Sequence, residues 1–225
     1  MCLDTKLVVK HGSTGVSLVV APGILGRDQP SWLYAQAMKL SSRFRDALSY
    51  AADLHAEQQR KVSGVPYVAH LLAVTAIVLE HGGDEDETIA ALLHDAVEDQ
   101  GGAATRAEIA RRFGPRVAEI VDGCTDADTM PKPPWRERKE AYIARLGQVS
   151  PSGRRVSAAD KLHNTRSLID EYRIRGESLW KNFRGGRDGT LWYYRTVVDT
   201  LRQIETTPLV EELDRVVSEL ERLVQ

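Results

Sequence analysis

Residues Ala91 to Gln100 read ALLHDAVEDQ and carry two adjacent titratable pairs, His94-Asp95 and Glu98-Asp99, in a segment with no Lys or Arg. On a helix, positions four apart share a face, so His94 lies under Glu98 and Asp95 under Asp99. Three carboxylates within little more than one turn repel one another unless something positive neutralises them. Either the patch faces water or it holds a cation. Two further residues bear on the choice. His70 opens an apolar helix after Pro66-Tyr67-Val68-Ala69, and Asp160 interrupts the small-residue run VSAADKLHN. In isolation His70 reads more readily as a cap or a satisfied core histidine, and Asp160 as half of a salt bridge with a nearby arginine. Taken together, His70, His94, Asp95 and Asp160 make a mixed imidazole–carboxylate set on three separate helices. Such a set suits Mn, Fe, Co, Ni or Zn better than Ca, which prefers oxygen alone. Four protein ligands leave an octahedral ion two positions for water and a substrate oxygen, and such an ion acidifies its water and polarises a phosphoryl group. Glu98 and Asp99, one turn on, can then orient the water or shuttle a proton. A merely solvated helix end is the competing reading for that pair.

The elements that must position these residues are helical from about Ser41 onward. Phe44, Leu48, Ala51, Ala52 and His55 recur at helical spacing, as do Leu71, Val74, Ile77 and Val78. Asp84-Glu85-Asp86-Glu87 suits the start of a helix running through Ile89 to Val97, because carboxylates complement its dipole. Thr105 to Phe113 opens with a cap-like Thr-x-x-Glu, Thr105 and Glu108, and Gly114-Pro115 punctuates its end. Pro115–Val121, Trp135–Leu146, Val156–Tyr172 and Leu191–Ile204 follow, and Thr207-Pro208 starts a last helix with Val210, Leu213, Val217, Leu220 and Val224 on one stripe. The fold class expected is all-α. The first forty residues differ: Leu7-Val8-Val9 and Val16–Val20 flank a Gly-containing turn and suit a small hairpin, with a disordered tail, or a start at Met38, as the competing readings.

Composition narrows the class of function. The chain has 225 residues, 42% of them apolar and 28% charged, with a formal net charge of -2. That balance argues against a binder of bulk nucleic acid. Two cysteines, Cys2 and Cys124, support neither a disulfide framework nor a thiolate zinc site, so a reducing cytoplasm is the expected compartment. No apolar run approaches a membrane span, and the N-terminus makes a poor signal peptide.

The ordered segments HAEQQRKVSGVPYVAH (His55 to His70), ALLHDAVEDQ, FGPRVAEIVDGCTD (Phe113 to Asp126) and ADKLHNTRSL (Ala159 to Leu168) resemble the hydrolase domain of RelA/SpoT proteins and small alarmone hydrolases, within the HD superfamily of metal-dependent phosphohydrolases. The resemblance covers roughly Ser41 to Leu168. It implies an HD hydrolase domain over residues 41–205, followed by a C-terminal helix from 206, and removal of the 3′-pyrophosphate from (p)ppGpp or (p)ppApp with Mn2+ as cofactor. It implies His70, His94, Asp95 and Asp160 as ligands and Glu98 and Asp99 as the pair that activates water. Arg60 and Lys61 would meet the nucleotide, and Asn164, four residues after Asp160, would contact it near the ribose and phosphates. Arg138 and Lys139 match an Arg-Lys pair loosely. Hydrolysis at a crowded phosphate cluster needs positive charge nearby, and Arg60, Lys61 and Lys161 are the nearest candidates.

The chain also departs from the pattern. RKVSGVPY holds one residue more than the usual RKSGEPY, with Val65 where the acid sits, and Lys161 replaces an Arg. MPKPPWRERKEAY and GESLWKNFRGGRDGTLWYY lie outside the family pattern. Their Trp135, Arg136, Arg138, Lys139, Trp180, Lys181, Arg184 and Arg187 offer a phosphate-binding and base-stacking platform, or a solvated face with aromatic anchors; Trp192, Tyr193 and Tyr194 read as core. Two other functions compete: a phosphatase acting on a nucleoside monophosphate or the 2′-phosphate of NADPH, and an antitoxin that binds an alarmone synthetase. The last helix covers the core or forms a dimer seam.

Overall fold

The computed structural model describes residues 9–12, 15–18, 39–126 and 131–225. Strands β1 (Val9–Gly12) and β2 (Gly15–Leu18) form an antiparallel hairpin that pairs Val9 with Leu18 and His11 with Val16. The strands reach further into the glycine-bounded segment than the sequence pattern indicates. Leu7, Val8, Val19 and Val20 lie outside the described residues.

The helices belong to one compact unit, Met38–Gln225. In order they are α1 (Ser42–Leu54), α2 (Val68–Glu80), α3 (Glu85–Leu93), α4 (Ala96–Asp99), α5 (Ala103–Phe113), α6 (Pro115–Cys124), α7 (Trp135–Arg145), α8 (Pro151–Arg175), α9 (Gly186–Ile204) and α10 (Pro208–Leu223). Among the described residues of this unit there is no strand, only an isolated bridge between Gln59 and Pro66. No described helix is long and apolar enough to cross a membrane.

Two helices organise the packing. In α3 every residue from Glu87 to Leu93 is buried, as expected of a segment apolar on all sides. Its acidic start is a full capping box: Asp84 accepts from the Glu87 N–H at 3.0 Å, and Glu87 accepts from the Asp84 N–H at 2.8 Å. Arg116 on Asp84 (2.7 Å), Arg43 on Asp86 (2.8 Å) and Arg155 on Glu87 (2.5 Å) neutralise the cluster from three other helices. Helix α8, 25 residues and about 37 Å long at 1.5 Å per residue, packs on α2, α3, α6 and α10. The stripe of α10, with Leu209 added, is buried on α8 and α9. A smaller apolar cluster of Leu168, Ile169, Leu179, Trp180, Leu220 and Val224 lies beneath it.

Two local expectations are corrected. The Thr105–Glu108 cap does not form: α5 starts two residues earlier, behind Gly102 at φ 59°, and Thr105 turns its hydroxyl to the Gln100 carbonyl. The single helix expected over Ile89–Val97 breaks at His94 and Asp95, where Asp95 takes φ -98°, ψ -4°. Adjacent side chains on an unbroken helix diverge by about 100°, so the break lets both residues face one point.

Candidate active site

The break after α3, the first turn of α2 and the middle of α8 meet at one point. His94 Nε2 lies 3.0 Å from Asp95 Oδ2 and 3.6 Å from Asp160 Oδ1; His70 Nε2 lies 3.2 Å from Asp160 Oδ1 and 3.6 Å from Asp95 Oδ2. Both histidines are buried, and neither Nε2 has a hydrogen-bond partner. Two buried ring nitrogens left unpartnered beside two carboxylates is an arrangement folding would not leave for its own sake. It suits a cation: His70, His94 and Asp95 bring one donor atom each within 4.8 Å of one another, and Asp160 lies beside the two histidines.

The far side of each ring sets its tautomer. His94 Nδ1 is 2.8 Å from the Ala91 carbonyl, which only accepts, so Nδ1 carries a proton and Nε2 is the nitrogen turned to the carboxylates, free to bind an ion once its own proton leaves. His70 Nδ1 faces His163 Nδ1 at 2.8 Å. Burial, His70 and Arg60 push the His163 pKa down to about 4, so a neutral ring is there to accept. Burial would push His94 down, but Asp95 and Asp160 outweigh it and hold the ring well above the usual value. Burial pushes Asp95 and Asp160 up, yet their cationic neighbours, His94 for Asp95 and Lys161 for Asp160, carry both well below the carboxylate range. The site requires positive charge. Tyr67 donates to Asp95 Oδ2 at 2.5 Å, and Asn164 donates to Asp160 Oδ1 at 2.5 Å.

The partner of Asp160 is Lys161 (2.5 Å), not the expected arginine. Lys161 is 8% exposed and pairs with Asp160, and it also lines the cavity, where the sequence expects it to meet the nucleotide. Arg60 donates to Asn164 Oδ1 at 2.7 Å, and Lys61 is exposed at the rim. Their turn closes through Arg60 N–H to Val65 O and Gly64 N–H to Arg60 O, both 2.9 Å, with Gly64 at φ +71° where a side chain would be strained.

Glu98 and Asp99 line the same cavity on α4. Glu98 accepts from Lys132 at 2.9 Å, and Asp99 accepts from Gln58 Nε2 at 2.8 Å. Both pKa values are raised: burial leads in each, with Asp126 added for Glu98 and Asp95 for Asp99. Arg138 and Lys139 both bind Asp126, and Lys139 also reaches the cavity wall. Cys124 lines the cavity as well, but burial pushes its thiol up to about 12, which makes it a poor nucleophile.

The cavity holds about 620 Å³, within the range of small-molecule sites. The tryptophan platform is corrected here: Trp135 and Trp180 do not line it, and Trp192, expected in the core, does not either. Trp135 packs on Gly185 and Gly189, Trp192 stacks under Arg136, and Trp180 is buried in the smaller cluster. The lining aromatics are Tyr67, Phe183, Tyr193 and Tyr194, so the two tyrosines of α9 serve core and cavity together. The extra-residue loop lines one wall with Val62 and Val65, alongside Leu168, Leu179 and Phe183.

Sequence reasoning missed Gln58, Tyr67, Asp126, Lys132 and His163. His163 stands three residues after a proposed ligand and Tyr67 three before one, which is a helical signal. Gln58 and Lys132 reach the site from loops and carry no such signal.

This chain is similar to several known proteins. The HD domain family matches residues 47–191. The guanosine-3′,5′-bis(diphosphate) 3′-pyrophosphohydrolase of Mus musculus is 37% identical over 131 residues, covering 57% of this chain and 70% of that one. Its Drosophila melanogaster counterpart is 34% identical over 165 residues, covering 72% and 86%. The bifunctional (p)ppGpp synthase/hydrolase SpoT of Escherichia coli is 36% identical over 132 residues, 56% of this chain and 18% of that longer protein. The solved structure of a metazoan SpoT ortholog that hydrolyses ppGpp superposes with a TM-score of 0.69 at 32% identity, over 84% of this chain and 100% of that one. With the family match spanning more than half of its residues, the chain belongs to the HD-domain family.

Proposed function

We propose that this protein is a hydrolase that removes the 3′-pyrophosphate from (p)ppGpp or its adenosine counterpart, with Mn2+ as the preferred ion. The observation that carries this reading is the meeting of four donors, two of them orphaned ring nitrogens, beside two carboxylates of raised basicity in one nucleotide-sized cavity. The relatives that hydrolyse guanosine-3′,5′-bis(diphosphate) support the choice of substrate.

The chain's own residues divide the work. His70, His94, Asp95 and Asp160 would hold the ion, which when bound acidifies water and polarises a phosphoryl oxygen. Asp99 and Glu98 take the proton from the attacking water, the raised pKa of each bringing it closer to the operating pH. Arg60 and Lys61 supply positive charge at the cavity rim, and Asn164 joins Arg60 to the ligand Asp160, so the nucleotide and the ion are read by one connected set. Lys161 balances Asp160 from behind. Acting on the product of an alarmone synthetase, the protein would protect a cell from that enzyme through catalysis, and ligand variants would lose the protection.

The test is pyrophosphate release from ppGpp and ppApp with Mn2+, with EDTA, and with His94→Ala and Asp95→Ala. Metal-dependent release abolished in both variants is expected. Absence of release by folded, Mn2+-loaded protein would overturn the assignment.

A further inference from the structure

The side chain of Gln58 makes three hydrogen bonds. Its Oε1 lies 2.6 Å from His55 Nδ1 and 2.7 Å from Gln100 Nε2, and its Nε2 lies 2.8 Å from Asp99 Oδ2. These contacts fix the direction of the amide. A carboxylate only accepts, so the edge facing Asp99 must be the NH2 group, and the oxygen must face His55 and Gln100. His55 must then carry its proton on Nδ1. With the opposite tautomer, a lone pair would face Gln58 Oε1 at 2.6 Å, and a buried Nε2–H would have no partner. Turning the amide over would set oxygen against carboxylate and NH2 against the NH2 of Gln100.

The backbone holds the residue equally firmly. Gln58 N–H donates to His55 O at 3.0 Å, and Tyr67 N–H donates to Gln58 O at 2.9 Å. The His55 ring stacks on Tyr67 with centroids 5.3 Å apart, and Tyr67 in turn donates to the ligand Asp95. One packed unit therefore orients both a metal-ligating carboxylate and Asp99. The two carboxylates of the pair are held differently: Glu98 accepts from Lys132 at 2.9 Å, while Asp99 has the neutral Gln58 amide on Oδ2 as its closest partner and the same lysine farther off, 3.9 Å from Oδ1.

We propose that Gln58 is a positioning residue for Asp99: anchored by His55 and Gln100, its amide occupies Oδ2 and leaves Oδ1 as the oxygen that takes the proton from water. This rests on the reading of Asp99 as a water-activating group.

Gln58→Glu is the decisive variant. It preserves chain length and the acceptor for His55 and Gln100, replaces the donor toward Asp99 with oxygen and adds a carboxylate charge beside it; the neutral Gln58→Met separates the lost donor from the added charge. The expected result is a fall in kcat of about 100-fold, the loss typical of a misplaced reacting group, with KM and Mn2+ affinity unchanged. Gln58→Met, which lacks both functions, falls at least as far, and thermal unfolding reports whether it also loosens the loop. Wild type and variants are assayed with Mn2+ on ppGpp and on bis(p-nitrophenyl) phosphate. Wild type cleaving only the small ester would overturn the alarmone reading, and the Gln58→Glu ratio on that ester would still decide the inference. Wild-type kcat in Gln58→Glu overturns the positioning role, and wild type inert on both substrates overturns the inference together with the hydrolase reading.

Discussion

The Nδ1 atoms of His70 and His163 face each other across 2.8 Å, so one ring must donate and the other accept. Since His70 Nε2 points at Asp160 and Asp95, a lone pair there requires the proton on its Nδ1 and the acceptor on His163. His163→Phe keeps a ring but removes the acceptor, and is expected to weaken Mn2+ binding about 10–100-fold. His163→Gln, which can still accept, restores part of the loss. Titration of free Mn2+ by electron paramagnetic resonance reads this directly, and unchanged affinity in His163→Phe would sink the assignment.

Asp160→Asn halves the carboxylate charge of the donor set and strands Lys161. Mn2+ affinity should fall by more than an order of magnitude, by analogy with losses seen when even outer partners are removed. Calorimetric titration checks it, with circular dichroism to confirm that the helices persist.

The pH dependence follows from Glu98 and Asp99. A group that takes a proton works in its deprotonated form, and both pKa values stand above the usual carboxylate range of about 4. The acid limb of kcat/KM is therefore displaced upward, with activity lost as pH falls through the raised value. In Asp99→Asn the rate should drop about 100-fold or more and the limb should change position. A profile of the surviving activity that matches wild type would exclude Asp99 as a titrating participant.

Asp126 bears on stability. Burial would raise its pKa, but Lys139 and Arg138 lower it below the unfolded value. The stabilisation is therefore present above the unfolded pKa and disappears as pH falls through the lower folded value. Asp126→Ala leaves two cations facing each other without their anion and is expected to cost about 3 kcal/mol. Urea unfolding at neutral pH measures it, and the gap between variant and wild type should close under strongly acidic conditions.

Arg60→Ala should raise KM while kcat falls less, because Arg60 stands at the rim and not among the donors. Equal loss in both parameters would place its contribution in the transition state instead.

Much of the site was legible because charge in an apolar segment is expensive. His94-Asp95 and Asp160 stand out against their neighbours, and the structure brings them together with His70. The helices of the unit were legible from period and caps, as with Thr207 and the α10 stripe. The break at His94 was not, because no Gly or Pro marks it and the cause is convergence on a site built from other helices. Lys161 was legible as positive charge near the site, but its pairing with the adjacent Asp160 was not. The tryptophans misled because aromatic and basic residues occur together in stacking pairs such as Arg136 over Trp192 as well as in binding sites.

Within five positions of α8 the chain places a carboxylate beside both histidines (Asp160), its counter-charge (Lys161), the ring behind His70 (His163) and the clamp on Arg60 (Asn164). Each further residue turns a helix by about 100°. One residue added or lost between Pro151 and Asp160 would swing all four away together while leaving the composition almost untouched. That stretch can drift in sequence far more freely than in length.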